Sequence, residues 1–290
     1  MWKASHAGQW YPIGQSLEKM FITSFAAAKV EKIQKNRVKA VIAPHAGYTY
    51  CVATAAHSFS SIDTSLFDKV VVLGPSHRLF LKECSIVDAK VCETPFGEIS
   101  IDESAKDLIS KYPKLFKSLD IPRSEAEHSL ELMLPYIKYI FKSKPITILP
   151  IMVGNLNLRQ VSDTAEALKP IINDPKTLVV ISSDFVHWGH RFGYSYLPEG
   201  SGPIHERIAQ IDHGAMDQIS TTDAIKFWNY VETTEATICG RIPITIAMVA
   251  LDGKCSVEWL HYSQSSQVTS PNDTSVSYSS GVFLTKEEPV

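Results

Sequence analysis

The chain has 290 residues, of which 44% are hydrophobic and 20% charged, with a net charge of −3 and a pI near 6.4. This near-neutral balance, with Lys and Arg scattered along the chain, argues against a nucleic-acid surface or a polybasic membrane patch. The apolar runs are far shorter than the roughly 20 residues that cross a bilayer, so no membrane insertion is expected. The five cysteines form no C-x-x-C pair, which favours a cytoplasmic location, with the nucleus as an alternative.

The hydrophobic periodicity predicts helices and strands that alternate along the chain without a linker. Helices are predicted over Gln15–Lys32, Tyr48–Phe59, Ser129–Phe141, Arg159–Ile172, Ile204–Ile219, Thr222–Tyr230 and Ile242–Leu251. Strands are predicted over residues 38–43, 70–73, 146–154, 178–181, 255–263 and 275–285. The prediction is a single α/β domain over residues 1–290, with a mixed central β-sheet flanked by helices.

Three of these strands are unbroken apolar runs that end in small or turn residues, followed by an ionisable side chain. The strands and their followers are Val38–Ala43 with His45, Val70–Leu73 with His77, and Leu178–Ile181 with Asp184 and His187. Apolar runs of this kind are typical of parallel strands that are covered on both faces. Ligands bind at the carboxyl ends of such strands, so the pattern predicts a shared site. The alternative for His45 is a helix cap or a place in solvent, and the alternative for His187 is packing on Trp188.

Two imidazoles and one thiol are the candidate metal ligands. His45 and His77 are of the type that binds first-row metals. Cys239 lies in "TICGR", just ahead of an apolar helix whose N-terminus would favour a thiolate. The alternative for Cys239 is a small buried apolar residue, as free cysteine commonly is.

Acid–base and ligand-binding groups are predicted around these ligands. Asp184 is expected to orient the site and His187 to act as general acid–base, although Asp184 would also suit a turn cap. Arg191 is expected to hold an anionic group of a ligand. Glu127 and His128 open a helix, where Glu127 alternatively supplies only a favourable charge in the first turn. The chain contains no P-loop, G-x-G-x-x-G, H-E-x-x-H or G-x-S-x-G motif.

Several motifs together resemble those of a known family. "SHAGQWYP", "IAPHAGYTYC", "LGPSH", "EHSLELMLPY", "SSDFVHWG", "TICGR" and "TSVSYSSG" fall in the order seen in the Memo family, the mediators of receptor-tyrosine-kinase-driven cell motility. The resemblance runs from Ala4 to about Phe283, nearly the whole chain. It implies a fold like that of class III extradiol dioxygenases of the protocatechuate type, with an α/β arrangement around a metal cleft.

The resemblance also implies a metal site and a redox role. His45, His77 and Cys239 match the metal-binding positions, Asp184 lines the site, and His187 matches the acid–base histidine of the dioxygenases. The implied cofactor is iron(II) or copper. The dioxygenases complete their ligand set with a glutamate, whereas Cys239 offers a softer thiolate, which argues against ring-opening activity.

A second, non-enzymatic function is implied by the same resemblance. Animal members are implied to bind phosphotyrosine peptides or receptor tails in this cleft, where Trp10 and Tyr50 match the implicated positions. Arg191 and the histidines would then hold the phosphate. The sequence leaves open whether the cleft belongs to a metal-binding redox protein or to a peptide-binding adaptor, because both use the same residues.

Overall fold

Four parallel strands form the centre of the sheet. The computed structural model of the chain describes residues 1–286. Its central strands, in spatial order, are β1 (Val38–Ala43), β8 (Thr177–Ser182), β2 (Lys69–Pro75) and β7 (Thr147–Val153). Every residue of β1 and β8 is buried, as the unbroken apolar runs predict for strands covered on both faces. The prediction that three of these runs share one sheet and one direction is therefore confirmed.

Antiparallel strands extend the sheet on both sides and make it mixed. Next to β1 lies β11 (Ser275–Thr285), which pairs with β10 (Cys255–Gln264). On the other side, β7 pairs with β3 (Cys84–Val87), which is followed by β6 (Phe116–Leu119). The remaining short strands are β4 (Val91–Cys92), β5 (Ile99–Ile101) and β9 (His187–Trp188). Strands β3 to β6 and β9 were not predicted, because they are too short to show an apolar period.

The predicted helices are present, with changes at their ends and one break. The helices are α1 (Gln15–Ala27), α2 (Tyr48–Ser60), α3 (Ser104–Lys111), α4 (Ile121–Glu125), α5 (His128–Glu131), α6 (Leu134–Phe141), α7 (Leu158–Ile172), α8 (Ile204–Ser220), α9 (Ala224–Thr234) and α10 (Arg241–Leu251). The predicted helix over Ser129–Phe141 is divided, and Pro135, which lacks an N–H, lies in the first turn of a new helix that begins at Leu134. The first helix ends at Ala27, where the chain becomes extended, rather than at Lys32. No described helix is both long and apolar enough to cross a membrane.

An aromatic cluster fixes α2 against α6 on one side of the sheet. The ring of Tyr136 stacks on Phe21 at 4.8 Å and on Phe59 at 4.7 Å between centroids. The hydroxyl of Tyr48 donates to the Leu132 carbonyl at 2.6 Å. Such aromatic pairs contribute about 0.5–1.5 kcal/mol each beyond their area burial. The cluster thus holds the loop before α2, which carries His45, close to the end of α5, which carries His128.

Candidate metal centre

Hydrogen bonds fix the tautomer of His45, which lies just past the end of β1 and is 1% exposed. Its Nδ1 lies 2.7 Å from the Ser182 hydroxyl, which donates its one hydrogen to the Ser129 carbonyl at 2.6 Å. Ser182 therefore accepts from Nδ1–H, and the lone pair of the ring is on Nε2. This Nε2 lies 3.2 Å from the sulfur of Cys239.

The surroundings of His45 keep its ring neutral. Burial, followed by the charge of the neighbouring His77, holds the pKa of His45 well below its ordinary value. The backbone of the turn is held by Asp184, whose Oδ1 accepts from the N–H groups of His45 at 2.8 Å and Ala46 at 3.2 Å. A neutral imidazole on a fixed turn is the form that binds a metal.

Glu127 supports His77, which follows β2. His77 Nδ1 lies 2.9 Å from Glu127 Oε1, and the same carboxylate accepts from the backbone N–H groups of His77, Arg78 and Ser129. Burial alone raises the pKa of Glu127, but the hydrogen bond from His77 and its other donors lower it to about 2. The ionised carboxylate accepts from Nδ1–H, so His77 also keeps a lone pair on Nε2. Glu127 thus lies behind a candidate metal ligand rather than in the cleft.

Cys239 brings a sulfur close to these two imidazoles. One donor atom from each of His45, His77 and Cys239 lies within 4.8 Å of the others. Metal–nitrogen and metal–sulfur bonds of about 2.0–2.3 Å place donor atoms about 3–4 Å apart. The 3.2 Å between His45 Nε2 and Cys239 Sγ falls in this range, and the 4.8 Å limit that includes His77 lies above it. A side chain on Gly240 would lie 2.3 Å from Ser183 Cβ, so this position requires glycine for the turn to approach β8.

The expectation that the N-terminus of α10 lowers the pKa of Cys239 is wrong for the metal-free site. Burial raises the pKa of the Cys239 thiol, and the neighbouring Asp184 carboxylate raises it further. These effects outweigh the backbone N–H groups of Asp184 and Gly240, which act in the opposite direction. The residue therefore holds a thiol, and a bound metal would have to displace its proton.

His187 has a fixed tautomer as well. Its Nδ1 lies 2.9 Å from the Phe185 carbonyl and 3.1 Å from the Thr237 carbonyl, so Nδ1 carries the hydrogen and Nε2 the lone pair. The charge of His187 influences the pKa of both His45 and Asp184, which places it beside the candidate ligands. An imidazole with an available Nε2 can accept or return a proton there.

Arg191 and Tyr50 lie on the outer rim. Arg191 is exposed, and its guanidinium lies 5.7 Å from the ring of Phe192, which in turn meets the His187 ring at 5.2 Å. Tyr50 is in the first turn of α2 and is 64% exposed. Both side chains are therefore available to a large ligand rather than to an ion at the centre.

Trp10 and His128 form one wall of the cleft. The Trp10 ring stacks on His128 at 4.2 Å, and His128 stacks on His77 at 4.7 Å between centroids. Burial lowers the pKa of His128 to about 3, so its ring is neutral. The structure thus brings together His128, His77 and Trp10 from three distant segments.

Two residues of this wall, His6 and Glu131, were not identified from the sequence. His6 Nδ1 lies 2.7 Å from Glu131 Oε2, and the Tyr11 hydroxyl donates to Glu131 Oε1 at 2.8 Å. Glu127 and Glu131 are one helical turn apart, and each accepts from a different histidine. No local sequence signal points to this pairing, because His6 and Glu131 are 125 residues apart in the chain.

A cavity of about 730 Å³ opens beside Cys239, which is large enough for a small-molecule ligand. Its walls come from the ends of β2 and β7 and from the segment between α9 and α10, and they include Ser76, Phe80 and Thr237. The candidate centre is therefore open to small ligands from this side.

The arrangement agrees with a family comparison. Residues 2–282 match the family model described as Memo-like protein. The chain belongs to the Memo family. Protein MEMO1 of Xenopus laevis is 36% identical over 97% of both chains, and MEMO1 of Homo sapiens is 36% identical over 97% of this chain and 96% of its own. Protein memo-1 homolog of Caenorhabditis elegans is 37% identical over 97% of this chain and 82% of its own.

A solved structure shares the fold of this Memo-family chain. The crystal structure of uncharacterized protein JW3007 from Escherichia coli K12 matches with a TM-score of 0.52. The match covers 83% of this chain and 99% of the other at 11% identity. It shows the fold alone and supports the predicted α/β domain with a mixed central sheet.

Proposed function

We propose that this Memo-family protein binds one iron(II) or copper ion per chain through His45, His77 and Cys239, and that it acts in cellular redox chemistry. The observation that carries the proposal is the convergence of three donor atoms within 4.8 Å. Both histidines have their Nδ1 atoms occupied by hydrogen bonds, to Ser182 and to Glu127, which leaves Nε2 for the ion.

The donor set decides which chemistry fits the site. Two neutral imidazoles and one thiolate suit copper(I) and iron(II), and the sulfur shifts the preference toward the softer ion. When bound, either metal would supply one-electron chemistry beside the cavity. In this role His187 accepts or returns a proton at Nε2, and Asp184 holds the turn that carries His45.

Metal titration of variants tests the proposal. Protein without a histidine tag is stripped of metal and titrated anaerobically with copper(I) and with iron(II). We expect one ion per chain, and Cys239→Ser should weaken copper(I) binding by about tenfold or more because a hydroxyl is a poor soft ligand. Affinity should rise with pH, because the ion displaces the proton of a thiol whose pKa is raised.

Cys255→Ser is the matched control, since Cys255 is also buried but lies in β10. It should leave the copper(I) affinity unchanged. Equal affinities for the parent chain, Cys239→Ser and Cys255→Ser would reject Cys239 as a ligand. Affinity that stays constant from neutral pH to about 5 would reject histidine ligation.

A non-enzymatic adaptor is the second candidate function. The stack of Trp10 on His128 and the exposed Arg191 offer an aromatic face and a guanidinium for a phosphotyrosine peptide. In this case a phosphotyrosine peptide should bind the metal-stripped protein, and Trp10→Ala and Arg191→Ala should each weaken binding. A tyrosine peptide without phosphate that binds equally well would reject this alternative.

A further inference from the structure

A second cavity lies at the opposite edge of the sheet, beside the amino ends of the central strands. Its volume is about 680 Å³, and its walls come from the start of β1, the loop before β8, and the region that joins α10 to β10. The volume falls in the range of small-molecule sites. The cavity is at the other end of β1 from His45, so it is a separate site from the candidate metal centre.

The cavity is strongly cationic. Its lining includes five cationic side chains and, among the described residues, no Asp or Glu: Arg37, Lys39, Lys176, Lys254 and Lys286. Lys176 has an ion-pair partner in Asp68 at 3.3 Å. The other four form no ion pair with any residue of the described range 1–286. Four cations around one cavity that have no ion-pair partner within residues 1–286 favour an anionic ligand.

The four cations line the same cavity as Cys255. Burial raises the pKa of the Cys255 thiol to about 11, while the charges of Lys39, Lys286, Lys254 and Arg37 all act to lower it. An anion held in this cavity would interact favourably with all four of these charges.

Lys39 is the least exposed of the four cations, with 7% of its surface accessible. Its ammonium donates to the carbonyls of Asp174 and Thr177, which leaves one of its three N–H groups for another acceptor. Burial lowers its pKa to about 8 against the opposing charge of Asp174. A buried cation held by carbonyls alone is stabilised further when an anion approaches.

Arg37 and Lys254 also keep donors available. Arg37 donates from Nε to the Thr285 carbonyl at 2.6 Å and from Nη1 to Gln34 at 3.0 Å, so Nη2 has no acceptor in the described chain. The Lys254 ammonium donates to Asn173 Oδ1 at 3.2 Å. Several donors from separate segments therefore face one space.

The walls between the cations are apolar. Leu66 is partly exposed and lines the cavity together with the buried side chains of Val38, Phe67 and Leu251. An inorganic ion alone would leave this surface in contact with water. A ligand that has both an anionic head and an apolar body would cover both kinds of surface.

We propose that this cavity binds a small organic anion, in which a phosphate monoester or carboxylate head is carried on an apolar body. The head lies among Arg37, Lys39, Lys254 and Lys286, and the body packs on Leu66 and on the aliphatic stems of the lysines. A phosphate monoester matches the four cations better than a carboxylate does, because it carries more negative charge and accepts more hydrogen bonds.

Four probes separate the contributions of charge and apolar surface: 1-naphthyl phosphate, 1-naphthoate, neutral 1-naphthol and inorganic phosphate. Isothermal titration calorimetry with the full chain should give the tightest binding for 1-naphthyl phosphate. Its affinity should exceed those of 1-naphthol and inorganic phosphate by about tenfold or more, and should fall as salt is raised. Tighter binding of 1-naphthoate would assign the site to carboxylates.

Matched double variants locate the site. Lys254→Gln with Lys286→Gln removes two exposed cations from the cavity, whereas Lys106→Gln with Lys226→Gln removes two exposed cations elsewhere. The first pair should weaken 1-naphthyl phosphate binding by about tenfold, and the second should not. Hydrogen exchange should show protection by the probe at residues 36–39 and 254–255.

Three results would overturn the proposal. One is that every probe binds with a dissociation constant above about 1 mM, which is too weak for a specific site. Another is equal affinity in the two double variants. The third is protection by 1-naphthyl phosphate around His45, His77 or Cys239 instead of around the cavity.

Discussion

The two ends of the central strands differ in how their ionisable groups are held. At the carboxyl ends, His45 and Asp184 are almost fully buried and hydrogen-bonded to fixed partners. At the amino ends, Lys254 and Lys286 are exposed and form no ion pair within residues 1–286. A strand that is covered on both faces can offer a ligand only the residues beyond its ends. The comparison therefore predicts large effects for the buried, hydrogen-bonded residues of the first edge and small effects for the exposed lysines of the second.

The largest effect should follow Glu127→Ala. This change leaves His77 Nδ1 and three backbone N–H groups without their acceptor in a site where Glu127 is fully buried. We expect a loss of about 3 kcal/mol or more in the free energy of unfolding, measured by urea denaturation. Metal affinity should fall by about 10–100-fold, because His77 loses its orientation.

Glu103→Ala is the control for this variant, since Glu103 is exposed and pairs only with Lys106 at the surface. It should change the free energy of unfolding by less than about 0.5 kcal/mol. If the two variants have equal stability, the carboxyl edge does not depend on its buried hydrogen bonds, and the contrast between the two edges is lost.

A smaller effect, which depends on pH, is expected for Asp212→Asn. Asp212 is fully buried in α8, where it accepts from the Val186 N–H at 2.9 Å and from the Tyr262 hydroxyl at 2.8 Å. Burial raises its pKa to about 6. Because the pKa is near 3.9 in the unfolded chain, the folded state binds the proton more tightly, and stability is lost as pH rises from about 4 to 6.

The asparagine variant lacks this loss. The free energy of unfolding of Asp212→Asn, relative to that of the parent chain, should therefore increase by up to about 3 kcal/mol between pH 4 and pH 7. Asp217→Asn, at an exposed position of the same helix, should show no such trend. A difference between Asp212→Asn and the parent chain that does not change with pH would mean that Asp212 ionises in the folded protein as easily as in water.

The smallest effect belongs to the amino edge. Lys254→Gln should change the free energy of unfolding by less than about 0.5 kcal/mol, because its exposed ammonium makes a single hydrogen bond to Asn173. Thermal or urea unfolding without added anion measures this directly. A loss of more than about 1 kcal/mol would show that Lys254 supports the fold and would remove the distinction between the two edges.

The sequence predicted the strands that precede the candidate ligands better than the side chains that hold those ligands in place. The apolar runs that precede His45 and His77 identified central parallel strands, because a buried strand leaves a local pattern. Glu127 was predicted as a ligand-binding residue or a helix-start charge, but not as the partner of His77, because His77 is 50 residues away in the chain and no local pattern joins them. The cationic cavity was not predicted at all. Arg37, Lys254 and Lys286 come from separate segments, and only the folded sheet brings them together.

The position of β1 has a consequence for biosynthesis. It is the first strand made, yet it pairs on one side with β11, the last strand in the described chain, with Val38 opposite Leu284. At translation rates of about 5–20 residues per second, this edge of β1 stays unpaired for roughly 10–50 s. An unpaired apolar edge is a template for association with other chains, so nascent chains need protection during this interval. Because Cys239 is also made late, the three candidate ligands come together only near the end of synthesis, and an ion would stabilise the finished protein rather than direct its folding.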